Sequence, residues 1–197
     1  GNVVTPMALL EEHGSDGVRY WAASGRPGAD TTFDPGQMKV GRRLAMKLLN
    51  AARFALLQAE PRGPITEPLD RGMLTALATL ATESTEHPEG YEYTRVLERT
   101  ESFFWAFCDD YLELVKSRRY GDFGAEAAAS ANSAMLVALS AMLRLFAPYL
   151  PFVTAEVWSW WRAGSVHRAA WPTADEVLEP IGGRDETALG VREATQV

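Results

Sequence analysis

The chain has 197 residues and a formal net charge of -7, with 47% apolar, 10% aromatic and 23% charged positions. That balance excludes a disordered tail and is rich enough in Leu, Ala, Phe and Trp for a real core, in one domain or one domain plus an appendage. The single cysteine, Cys108, excludes an internal disulfide framework and any multi-cysteine zinc module. His13, His87 and His167 lie far apart and none opens a metal-ligand spacing, so no metal site is expected.

No basic segment followed by an apolar stretch marks a signal peptide at the N-terminus. The longest uncharged run, Ala127 to Leu143, stops at Arg144 and falls short of the roughly 20 apolar residues of a membrane span. It reads as a buried core helix, and no membrane association is expected. A first residue other than methionine and an abrupt end at Val197 lead us to expect a piece of a longer protein.

The elements follow in order. Pro6 to His13 reads as a short helix with proline in its first turn and Gly14 closing it. Ser15 and Asp16 are placed to cap a second helix through Val18, Tyr20 and Trp21 to about Ser24, and Thr5 also reads as a cap. Gly25 to Gly36 is a loop rich in Gly, Pro, Asp and Thr. Four longer helices are expected: Gln37 to Ala59, Leu69 to Ser84, Glu89 to Arg119, and Asp122 or Phe123 to Phe146. Pro148 and Pro151 break the chain before a fifth, shorter helix through Trp161. After Trp171-Pro172 the sequence turns acidic and Gly-rich, with a last helix expected from near Arg184. No substantial period-2 pattern appears, and the link lengths suit an all-α, antiparallel helical bundle.

One helix stands out by charge. Between Pro35 and Ala59 lie Lys39, Arg42, Arg43, Lys47 and Arg53 and no acid, so the rest of the chain carries -12 against the total of -7. On a helical wheel the apolar residues fill an arc of roughly 180°. Phe54 falls outside it, among the cations. Lys39, Arg43, Lys47, Asn50 and Phe54 follow steps of four, four, three and four along one stripe. Cations that neutralise phosphates, an amide that reads a base edge and a ring that stacks on a base suit single-stranded RNA. The same pattern also fits a solvated face with Phe54 packed against a neighbouring loop, a membrane surface, or an acidic protein partner.

Other conspicuous residues read as structural. Phe103, Phe104, Trp105, Phe107 and Tyr111 surround their helix as core. Adjacent Asp109 and Asp110 diverge by about 100° on a helix, which fits a structural role for one and solvent for the other. Cys108 reads as an inert core thiol. No nucleophile–base arrangement or phosphate loop is present, so no catalytic residue is assigned.

Several segments, in order, resemble the valyl-tRNA synthetase family of class Ia aminoacyl-tRNA synthetases. They are GNVVTP at Gly1–Pro6, GVRYW at Gly17–Trp21, the TTFD loop, GRRLAMKLLNAARF ending at Phe54, CDDYLELVKSR at Cys108–Arg118, LFAPYLPFVTAEVW at Leu145–Trp158 and SVHRAAWP at Ser165–Pro172. The last two are shared with isoleucyl and leucyl relatives. The resemblance implies the end of a stem-contact region in residues 1–34, following the ATP-assisting KMSKS signature. It then implies the anticodon-binding helical bundle in 35–175, and a linker with the start of a truncated C-terminal helix in 176–197.

It further implies that Phe54 stacks with an anticodon base and that Lys47 and Asn50 are its companions. Lys39, Arg42, Arg43 and Arg53 would contact phosphates. The partners implied are the anticodon stem-loop of a valine tRNA and the remainder of the synthetase. The parent would be a monomeric, cytoplasmic ligase using ATP and Mg²⁺, with neither bound by this part. Two departures are Thr31, Thr32, Phe33 and Asp34, where relatives carry a basic residue, and Asp110, where an aromatic is usual. The module of an isoleucyl enzyme and a helical protein-interaction domain without specific RNA binding are the alternatives.

Overall fold

In the computed structural model, residues 6–25, 32–57, 60–86 and 93–183 are described, and among them every regular element is helical. The elements are α1 (Pro6–Ser24), α2 (Pro35–Leu56), α3 (Pro68–Glu86), α4 (Tyr93–Ala106), a π-turn (Phe107–Tyr111), α5 (Leu112–Arg119), α6 (Ala125–Phe146), α7 (Pro151–Ser159) and α8 (Ala174–Leu178). Thr5 and the helix expected from Arg184 lie outside the described residues.

The bundle is built around α6, which packs against α2, α3, α4, α5, α7 and α8. Its length and composition would allow a membrane crossing, but most of it is buried inside the bundle. The Ala and Ser positions let neighbours approach closely, while the buried hydroxyls and amide hold the chain that precedes α3. Ser130 Oγ accepts from the amides of Thr66 and Glu67, Asn132 Nδ2 donates to the Pro61 carbonyl, and Ser133 Oγ accepts from Gly63 N. Phe104 and Phe146 meet edge to face in the centre, both fully buried, with centroids 5.5 Å apart. Each such burial stabilises by about 1.5–3 kcal/mol.

Helix boundaries differ from expectation for local reasons. Gly14 breaks α1 with φ 74° and ψ 161°, a region essentially reserved for glycine. Asp16 does not cap its own helix; its carboxylate caps α7. α2 starts at Pro35 rather than Gln37, because Asp34 accepts from Gly36 N and Gln37 N and Pro35 fills the first helical turn. The long helix expected through Arg119 contains the π-turn, and α6 begins at Ala125 after Gly121 and Gly124, at φ 93° and 91°.

Residues 174–181, expected to straddle the bundle edge and a linker, instead form α8 and a 3-10 turn. Thr173 accepts from Glu176 N, and Val177, Leu178 and Ile181 are buried against the core. The Arg71 guanidinium donates to the Ile181 carbonyl, and Arg144 pairs with Glu176.

α1 lies along α2 at close range. A methyl group on Gly41 would stand 2.4 Å from Tyr20 Cβ, and one on Gly17 would stand 2.7 Å from the Met38 carbonyl oxygen. Tyr20 then reaches past α2 to donate to Glu101 on α4 at 2.7 Å. This contact fixes one side of the basic helix and leaves the other to solvent.

Candidate nucleic-acid interface

The buried side of α2 consists of Met38, Gly41, Leu44, Ala45, Leu48, Ala51, Ala52 and Ala55. Lys39, Arg42, Arg43, Asn50 and Arg53 are exposed, and Lys47 and Phe54 are half-buried. Lys39, Arg42, Arg43, Lys47, Asn50 and Arg53 thus share the side turned away from the core, whereas Phe54 sits at its edge, partly buried and packed against the core. Among the described residues, Lys39, Arg43 and Asn50 make no side-chain hydrogen bond or ion pair. Arg42 donates to the Glu12 carbonyl of α1, and Arg53 lies 5.9 Å from the centroid of the exposed Trp160.

Phe54 is more constrained than the wheel implies. The Arg119 guanidinium covers its ring at 4.3 Å from the centroid. The same guanidinium donates to the carbonyls of Phe54, Ala55 and Leu57, closing the C-terminal turn of α2. The ring is therefore held in place by a buried cation, with part of its surface already occupied.

Lys47 is the other constrained member. Its ammonium is 3.0 Å from Asp109 Oδ1 and 5.5 Å from the centroid of Trp105. The hydrogen bond to Asp109 holds Lys47 above the usual lysine range. Both partners remain open to solvent, with side chains 38% and 58% exposed. Asp110 is exposed, as one member of the pair was expected to be.

The position of Asp109 traces back to the core. Phe107 and Tyr111 stack within the π-turn, and Tyr111 donates to the fully buried Asp70 at 2.7 Å. Asp70 also receives both terminal nitrogens of Arg118, at 2.7 and 2.6 Å, and the Ser130 hydroxyl at 2.6 Å. Tyr111 and Arg118 thus pin the chain immediately C-terminal to Asp109 and Asp110. Burial pushes the neighbouring Cys108 thiol up to about 12, which keeps it protonated and fits an inert core thiol.

Trp105 packs against the core as the sequence implies, yet it also meets Lys47, and nothing in the sequence connects Trp105, Asp109, Trp160 or Arg119 with the basic helix. All four contacts join residues far apart in the chain, and no local pattern announces them.

The comparisons agree with this architecture. A family model described as the anticodon-binding domain of tRNA ligase matches residues 70–196. The valine–tRNA ligase of Salinispora tropica is 60% identical over 186 residues, covering 91% of this chain and 22% of the relative. That of Thermobifida fusca is 58% identical over 195 residues, covering 96% and 22%. Among solved structures, the LeuRS chain of an Agrobacterium radiobacter K84 LeuRS–tRNA–LeuAMS ternary complex superposes with a TM-score of 0.65 at 19% identity, covering 89% of this chain and 22% of that one. This last likeness establishes the fold alone. The chain belongs to the anticodon-binding domain family of tRNA ligases, and it spans about a fifth of the length of the relatives it matches.

Proposed function

We propose that this chain is the anticodon-recognition module of a valine–tRNA ligase. It positions and discriminates a valine tRNA for ATP-dependent aminoacylation carried out by a catalytic domain elsewhere in the parent enzyme. The observation that carries this reading is the acid-free row Lys39, Arg43, Lys47 and Asn50 on the solvent side of α2, ending at the half-buried Phe54, in a family whose relatives at 58–60% identity are valine–tRNA ligases. Lys39 and Arg43, with Arg42 and Arg53, neutralise loop phosphates and set the register, while Phe54, Asn50 and Lys47 read the loop.

The parent is a monomeric cytoplasmic enzyme, and ATP and Mg²⁺ serve its activation step. Among the described residues no three His, Cys, Asp or Glu side chains converge as metal ligands. The closely packed described part of residues 1–34 acts as a stem-side support for the bundle, whose core extends to Val177, Leu178 and Ile181.

The test is binding of this chain to a valine-tRNA anticodon stem-loop and to one with altered anticodon bases, at low and moderate salt. We expect preference for the valine loop, and a loss of about 1–3 kcal/mol on Phe54→Ala. An isoleucine-loop preference would reassign the module. Equal binding to every loop, indifferent to Phe54, would overturn the anticodon reading in favour of a protein-interaction surface.

A further inference from the structure

The cations of α2 are not equivalent. Lys39 and Arg43 stand exposed with no ion partner among the described residues, whereas the Lys47 charge is compensated by Asp109 at 3.0 Å. Resting on the anticodon reading above, we infer that Asp109 is a specificity-determining residue that converts Lys47 from a phosphate contact into a reader of base edges.

The chemistry of the two possible ligands separates them. A phosphate presents only acceptor oxygens and a negative charge. Reaching Lys47, it would meet the Asp109 carboxylate beside the ammonium, and the pair as a whole would offer it almost no net attraction. A base edge presents a donor next to an acceptor. The pair is complementary to that, because an ammonium has three N–H donors, only one of them needed for Asp109, and an ionised carboxylate has lone pairs to spare.

The geometry adds order. The Trp105 ring flanks the ammonium at 5.5 Å, the π-turn carrying Asp109 is anchored through Tyr111 to Asp70, and both polar heads stay solvent-accessible. Asn50, one turn further along α2, is exposed and adds a second donor and acceptor on the same row.

Two consequences follow that a purely structural ion pair would not produce. A compensated Lys47 releases no counterions on RNA binding, so it contributes to the preference between loops and not to the salt dependence. Removing Asp109 frees the cation, which then behaves as Arg43 does.

The experiment measures affinity against salt concentration for the valine-tRNA anticodon stem-loop and an altered-anticodon loop. It uses the unsubstituted chain and the variants Arg43→Ala, Lys47→Ala, Asp109→Ala and Asp109→Asn. Arg43→Ala is expected to reduce the slope of log affinity against log salt by about one and to keep the preference between loops. Lys47→Ala is expected to reduce the preference about ten-fold. Asp109→Ala and the near-isosteric Asp109→Asn are expected to steepen the slope by about one, tighten binding to the altered loop and weaken the preference. A Lys47→Ala variant that keeps the preference intact, or unchanged slopes in both Asp109 variants, overturns the inference alone. Absence of any preference in the unsubstituted chain overturns the anticodon reading, and this inference with it.

Discussion

The Asp16 carboxylate of α1 accepts hydrogen bonds from the amides of Phe152 and Val153, at 2.9 and 2.8 Å, and so caps a helix that begins 135 residues later in the chain. Pro151 occupies the first position of α7 and lacks an N–H, so the next two amides are the ones that need an acceptor. The residue before it, Leu150, has no side chain able to supply one. Asp16→Ala should therefore destabilise the fold by about 1 kcal/mol, and Asp16→Asn, which keeps an acceptor oxygen, by less. Thermal unfolding of the two variants measures the difference. Equal stability of both with the unsubstituted chain would mean that water caps α7 equally well.

A larger effect is expected at Asp70. Its carboxylate is fully buried and is held by Arg118, Tyr111 and Ser130, from α5, the π-turn and α6. Burial alone would lower the Arg118 guanidinium, yet the hydrogen bonds to Asp70 hold it above the usual arginine range. Asp70→Ala leaves that cation buried without its main partner, and breaking such a pair costs about 3–5 kcal/mol. Tyr111→Phe removes one hydrogen bond to a charged acceptor and should cost about 1.5–3 kcal/mol. Urea unfolding midpoints give both values, and Asp70→Ala no worse than Tyr111→Phe would show that Arg118 finds water or Glu67 instead.

These two residues mark where sequence reading ends. The amphipathic face of α2 was legible because periodicity and charge segregation are local, and Phe54 fell outside the apolar arc without any knowledge of tertiary structure. Asp34-Pro35 is equally local, and it starts α2 two residues before the position that periodicity indicates. The capping of α7 by Asp16, the anchoring of the π-turn by Asp70 and the pairing of Lys47 with Asp109 span 136, 41 and 62 residues. Each depends on helices brought together by packing, so no window of sequence contains it. α8 escaped for the opposite reason: five residues are too few to establish a period. Its apolar residues sit in an acidic surround that reads as a linker.

Alkaline pH should weaken the fold. Burial pushes the Cys108 thiol and the Tyr149 hydroxyl each up to about 12, against ordinary values of 9.0 and 10.0. Burial also raises Tyr20 and Tyr111, reinforced by the carboxylates of Glu101 and Asp70. Above about pH 9 the unfolded chain gives up these protons while the folded chain keeps them, so proton release favours unfolding. Their contribution is fully present below pH 9 and is lost as pH rises towards 12, by about 1 kcal/mol per pH unit for each group inside its window. Urea unfolding at pH 8, 10 and 11 should show a steady fall, and a level profile to pH 11 would contradict the burial of these hydroxyls.

The end of α2 joins stability to recognition. Arg119 is 5% exposed, and its guanidinium serves the carbonyls of Phe54, Ala55 and the capping Leu57 while backing the Phe54 ring. A lysine brings a single point of charge that cannot span those acceptors or lie flat against the ring. Arg119→Lys should thus cost about 1.5–3 kcal/mol of stability, because charged hydrogen bonds are lost. It should also weaken binding of the valine anticodon loop, because the ring loses its fixed orientation. The charge itself is retained and was already engaged internally, so the salt dependence of binding should not change. Affinity-versus-salt curves for Arg119→Lys and Phe54→Ala, each beside the unsubstituted chain, separate the cases. Parallel curves displaced to weaker binding identify Arg119 as the residue that holds the ring. A flattened curve for Arg119→Lys would show instead that its charge meets the RNA directly.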